Sequence, residues 1–261
     1  MKLSNMQLLA SAVERRVHGV IAVGEDDERR EVLIRFMSED YDPEAMGYWV
    51  HVYEGDNKLI DKLIKSKGAV TVSLQNGGAK IWFESVIVKR RRQNLVQRQV
   101  LVQQPEDASV LEHRSQPREW VPERLRLAAV IRAMSPGGKA VGVSNATIWD
   151  LGQQGASIIA RSQPFLEKLK DNAPLQIQIR LHGEGGRLTF AATHRHTVRI
   201  SAEKLRLGIQ FQFADDKRSK HDRECFTALM DELHKANVRD GLWATLHHDR
   251  HSRNHGLRPT G

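Results

Sequence analysis

"KLRLGIQFQF", residues 204–213, places Leu205, Leu207, Ile209, Phe211 and Phe213 at every second position. In an extended chain successive side chains point to opposite faces, so these five line one face of a strand and mark its core side. "PLQIQIRL", 174–181, repeats the pattern with Leu175, Ile177, Ile179 and Leu181, and "EGGR", 184–187, supplies a turn that makes 175–200 a hairpin. "RLRLAAVIRAM" and "AVGVSNATIWD" are further strands of this half. After "ADDKRSKH" the period changes. Phe226, Leu229, Met230 and Leu233 stand at i, i+3, i+4 and i+7, which predicts an amphipathic helix over 222–237 with Asp222 as its cap. The tail beyond Gly241 is polar and basic, and disorder is expected there.

The first half reads the same way. Leu3, Met6, Leu9, Ala10 and Val13 predict a helix over about 3–16. "HGVIAV", "REVLIRFM", "YWVHVY", "AVTVSL" and "AKIWFESVIV" are rich in β-branched and aromatic residues, and "GEDD", "SEDYDP", "EGDN" and "NGG" separate them. "NKLIDKLIKSKG" suits a short helix, and 18–95 as a whole suits a small β-barrel or sandwich. "KRRRQNLVQRQVLVQQPEDAS", from residue 89, reads as the join between two domains, with an extended piece at 100–102. The expected fold class is therefore all-β, in two small barrel domains with a C-terminal helix.

The 261 residues include 40 Lys and Arg against 32 Asp and Glu, a net charge of +8. That surplus favours an anionic partner without choosing among nucleic acid, nucleotide, lipid and acidic protein. "KRRR", 89–92, reads first as a solvated face. No apolar run approaches the ~20 residues of a membrane span. The N-terminus lacks the pattern of a secretory signal, and the single cysteine, Cys225, fits a reducing cytoplasm and a packed position beside the last helix. No Gly-rich phosphate loop, HExxH, GxSxG or CxxC occurs, so no enzyme is expected and no cofactor is called for. His247, His251 and His255 share a helical spacing but have no apolar face beneath them, so metal binding is not expected; His194 and His196 read as surface residues on one strand face.

"RSQPR", 114–118, holds two arginines in a segment that Pro117 keeps out of a helix. Guanidinium groups fork onto phosphate oxygens, stack on flat rings and pair with the O6/N7 edge of guanine. "DLGQQG", 150–155, follows the strand "ATIW" and offers Asp150 as an acceptor for a guanine edge. Its glycines, Gly152 and Gly155, suit a close backbone approach and positive φ.

Together "RSQPR", "DLGQQG" and the following "ASIIA" resemble the PilZ domain, whose pattern is RxxxR in a loop and [DN]xSxxG on a barrel turn. The resemblance covers about 105–238. The preceding helix and strands are similar in layout to the split-barrel domain of flagellar-brake proteins. It implies domains at 1–104 and 105–240, with 241–261 as a tail. It also implies binding of the second messenger cyclic di-GMP by Arg114, Arg118, Asp150, Gly152 and Gly155, with His113 near the ligand and bearing on its stoichiometry. Gly152 departs from the pattern, which has serine there; the absent hydroxyl weakens binding by about 0.5–1.5 kcal/mol. The resemblance further implies a cytoplasmic sensor that reorients its two domains on binding and regulates an effector protein, a flagellar-motor component among the candidates. Two other readings stay open: a degenerate PilZ adaptor without ligand, and a small barrel that binds nucleic acid.

Overall fold

The computed structural model describes residues 4–15, 17–24, 29–76, 79–92, 98–113, 118–122, 125–181, 186–213 and 220–237. Helix α1 (Asn5–Glu14) begins at a capping box in which Ser4 and Gln7 bond each other's backbone, and its Leu9, Ala12 and Val13 are buried. Six strands follow: β1 (His18–Val23), β2 (Arg30–Asp42), β3 (Gly47–Glu54), β4 (Ala69–Asn76), β5 (Ala79–Arg92) and β6 (Arg98–Gln103), with α2 (Asn57–Ser66) between β3 and β4. They pair in the order β1-β4-β5-β6-β3-β2, and β2 pairs back onto β1, so the sheet closes into a barrel with no free edge. Ile21, Val32, Ile34, Phe36, Val50, Val72 and Ile81 fill it.

Two short strands carry the chain onward. β7 (Ser109–His113) pairs with β5 of this first barrel, and β8 (Arg118–Trp120) pairs with β10 (Ala140–Gly152) of a second. The second barrel also contains β9 (Ala128–Met134), β11 (Gly155–Arg161), β12 (Pro174–Arg180), β13 (Arg187–Arg199) and β14 (Lys204–Gln212). Their order is β13-β12-β9-β10-β11-β14, closed by β13–β14. α3 (Pro164–Glu167) is a single turn. A last helix, α4, spans 220–237 and lays Phe226, Leu229 and Leu233 on the barrel core beside Ile131, Ile148, Ile177 and Leu207. The chain is all-β apart from its helices, as the alternating segments predict.

Several local readings change. "KRRR" is the end of strand β5, and 98–103 is a full barrel strand with Val100, Leu101 and Val102 buried, so 89–92 and 98–103 are barrel wall instead of a join. The Lys89 ammonium and Arg91 guanidinium lie 5.5 and 4.0 Å from the Trp49 ring centre, while Lys89 also pairs with Asp42 and Arg90 with Asp61. β2 continues through "SEDYD". A bulge between His194 and His196 breaks their shared face: His194 is buried, with its ring nitrogens on the Lys170 carbonyl and the Thr197 hydroxyl, whereas His196 lies over Gly208. Residues 220 and 221 are already helical, so Asp222 lies inside α4 and is not its cap. Cys225 is partly buried against the second core. The tail histidines, the 184–185 turn residues and the tail from 238 lie outside the described residues.

The barrels meet on the outer face of β2. Val32, Ile34 and Phe36 point into the first barrel, whereas Glu31 and Leu33, on the opposite face, are also fully buried. Arg206 of β14 forks onto Glu31, and Lys204 pairs with Glu54. His18 stacks on Trp120 with ring centres 3.6 Å apart, and Tyr53 and Trp149 complete the aromatic cluster. Among the described residues, neither the His18 Nε2 nor the Trp120 Nε1 has a hydrogen-bond partner.

Burial, and then the Arg35 charge, hold the His18 imidazole well below its ordinary 6.5. It is neutral when folded, so as pH falls below 6.5 the unfolded chain takes up the proton first. Stability is therefore lost on acidification through that range until the pH drops below the folded value. Between pH 7.5 and 5 the unfolding free energy of the native chain should fall by about 1–2 kcal/mol more than that of His18→Phe, which keeps the stack. Denaturant titrations at both pH values measure this, and equal losses would contradict it.

Candidate ligand-binding site

β8 is three residues long and could not hold a position alone, but it is fixed on two sides. β10 pairs with it through Asp150↔Trp120, Leu151↔Glu119 and Gly152↔Arg118. From α4, Asn237 donates to the Glu119 carboxylate at 2.8 Å and the Trp120 carbonyl at 3.0 Å, and His234 lies 2.9 Å from Glu119. Trp120 meanwhile leans on His18 of the first barrel. The strand that carries Arg118 thus touches both barrels and the last helix.

"DLGQQG" is the β10–β11 hairpin, with Gly152 opposite Gly155 and a bulge between Ile148 and Asp150. Gly155 is there for a close approach: a Cβ on it would stand 2.2 Å from the Ile209 carbonyl oxygen of β14. The positive φ expected at Gly152 and Gly155 does not occur; among the described residues the glycines with positive φ are Gly24 and Gly138. The reversal at Gln153–Gln154 is made without left-handed backbone.

The two segments come together at Arg118 and Asp150, 32 residues apart in sequence. Arg118 Nη1 donates to Asp150 Oδ1 at 2.8 Å, with side chains 25% and 21% exposed. Asp150 Oδ1 also accepts the Ser157 backbone N–H at 3.2 Å, and the Ser157 hydroxyl oxygen accepts Arg118 Nη1 at 3.2 Å. Both of these Arg118 contacts use Nη1, and among the described residues none engages its Nη2. Arg114 lies outside the described residues, and of His113, the last residue of β7, only the backbone is described.

Sequence reasoning missed three neighbours. Ser157 stands directly across β10–β11 from Asp150. Arg206 Nη1 reaches the same Ser157 hydroxyl at 3.3 Å, while its Nε and Nη2 hold the two Glu31 oxygens at 2.6 and 2.7 Å. Burial alone would raise the Glu31 carboxyl; the Arg206 charge and hydrogen bonds, with Arg29, outweigh it and hold the group below its usual range. Burial and the Arg206 charge push the neighbouring His196 imidazole down to about 4. Pairing across a hairpin could have pointed to Ser157. For the Glu31–Arg206 pair no signal exists, since 175 residues separate the partners.

No family profile matches the sequence, and no curated protein matches it. Solved structures do match. The MrkH–c-di-GMP complex from K. pneumonia aligns with a TM-score of 0.55 at 14% identity, over 91% of this chain and 98% of that one. MrkH described as a c-di-GMP-dependent transcription regulatory factor gives 0.49 at 15% identity, over 88% and 93%. YcgR in complex with c-di-GMP from Escherichia coli gives 0.46 at 11% identity, over 91% and 96%. At these identities the likeness is one of fold. With two closed barrels in series, and "RSQPR" leading into a strand on the "DLGQQG" hairpin of the second, the chain has the fold of the PilZ-domain proteins, preceded by an N-terminal barrel.

Proposed function

We propose that the chain is a cyclic di-GMP sensor, with the dinucleotide held between the RSQPR segment and the DLGQQG hairpin. The observation that carries this reading is the Arg118–Asp150 contact, which brings two separate motifs to one place. Arg118 and Arg114 would meet the phosphates and purine faces, and Asp150 would hold Arg118 and accept from the guanine edge. Gly152 and Gly155 would let the backbone approach, and His113 would border the ligand. The complexes formed by MrkH and YcgR support the ligand's identity as analogy.

The site also lies where the chain crosses from one barrel to the other, β7 belonging to the first sheet and β8 to the second. We read the first barrel with β7, to residue 113, and the second barrel from β8 onward as two functional units, so that the division falls later than residue 104. A dianion that gathers arginines at the crossing would bias how the units sit on one another, an order and hinge switch driven by charge. The output would be a changed surface for an effector protein in the cytoplasm, with motility regulation as the working assignment. This is a binding role and requires no catalytic group.

Calorimetric titration with cyclic di-GMP tests the reading. The native chain should bind, and Arg118→Ala or Arg114→Ala should weaken binding by about ten- to a hundred-fold, the worth of one or two charged hydrogen bonds. Salt-steep DNA or RNA binding that ignores both substitutions would instead favour the nucleic-acid reading, and no binding of either the adaptor. Gly152→Ser, restoring the hydroxyl of the pattern, should tighten binding by up to about ten-fold; unchanged or weaker binding would show that position 152 does not face the ligand.

A further inference from the structure

Glu31 has no part in either motif, yet its carboxylate is fully buried and ends a continuous polar chain that starts at Asp150. We propose that Glu31, in the first barrel, is a positioning residue for the ligand site of the second, acting on Arg118 through Arg206 and Ser157. The inference rests on the cyclic di-GMP reading above.

A bidentate fork fixes the plane of a guanidinium as well as its place. Glu31 takes two nitrogens of Arg206, and the third, Nη1, is thereby aimed at the Ser157 hydroxyl oxygen. That oxygen accepts from Arg118 as well. Two cations therefore share one neutral oxygen, and each is anchored on its far side by a carboxylate, Asp150 or Glu31. The alternation matters because both guanidinium groups are largely withdrawn from water, where like charges repel more strongly. Asp150 is close enough to act on Arg206 electrostatically. If Glu31 loses its charge, Arg206 becomes an uncompensated buried cation with Asp150 as its nearest anion. It then competes with Arg118 for the carboxylate that presents Arg118 to the ligand. By linkage, what Glu31 does for affinity the ligand does for the contact between the barrels.

The test is calorimetry with cyclic di-GMP on the full chain and on Glu31→Gln, Ser157→Ala, Ser157→Thr and the double variant Glu31→Gln/Ser157→Ala. Glutamine keeps the shape and removes the charge. Each of Glu31→Gln and Ser157→Ala should weaken binding about 5- to 30-fold. The double variant should bind within about two-fold of the weaker single, because both changes cut the same chain. Ser157→Thr, which keeps the hydroxyl, should stay near the native affinity. Should Glu31→Gln fail to fold, Arg206→Lys, which keeps the charge and loses the fork, takes its place with the same expected loss. Native-like binding by Glu31→Gln, or a double variant whose loss is the product of the singles, overturns the proposal and leaves the sensor reading standing as long as Arg118→Ala still weakens binding. A native chain that does not bind the dinucleotide overturns the sensor reading and this inference with it.

Discussion

A charged hydrogen bond of 2.8 Å between Arg118 and Asp150 fixes where the two motif segments of this protein meet. It can form because Asp150 lies at a bulge on β10 and because β8, too short to be a sheet element on its own, is laid along that same strand. The pair is half-buried, so neither partner is stripped of water entirely, and its cost in desolvation stays moderate. On the proposed reading, an arginine held this way would meet an anion already oriented, which would lower the ordering entropy lost on binding.

Deeper in the same network the balance differs. Glu31 is fully buried, and a carboxylate there is tolerable only because Arg206 answers it with two short bonds and Arg29 with a third contact at 3.3 Å. Such a pair adds little net stability relative to apolar packing, but removing one partner leaves a stranded charge. What the pair does is match the outer face of β2 to the face of the second barrel that carries Arg206. The His18–Trp120 stack acts beside it with a different chemistry, matching flat rings where the ion pair matches charge.

Alternation made the barrels legible. Leu175, Ile177 and Ile179, or Leu205, Leu207 and Ile209, announce a strand because a closed barrel has one dry side and its residues must obey a period of two. Helix α4 was legible for the corresponding reason at a period of 3.6. β6 was legible only in part: 100–102 read as extended, but the polar residues Arg98, Gln99 and Gln103 around that apolar core hid its place in the barrel wall, where Gln99 is buried and accepts from Arg91. The bulge at His194–His196 was equally hidden, since an extra residue in a strand leaves no mark on composition. In the candidate site, the meeting of Arg118 with Asp150 and the close approach at Gly155 follow positions that the motifs had marked. Ser157, Arg206 and Glu31 were not marked: they occupy positions that alternation assigns to the outside of a barrel, and only docking of the second barrel turns that outside into an interior.

The crossing between the barrels sets a limit on what they can do. His113 ends a strand of the first sheet and Arg118 begins a strand bonded to the second, so five peptide units span the gap. At full stretch these reach roughly 18 Å. While β7 and β8 stay paired, the barrels are leashed at that point: any large displacement becomes a swing about the tether, and one end of that tether is Arg118.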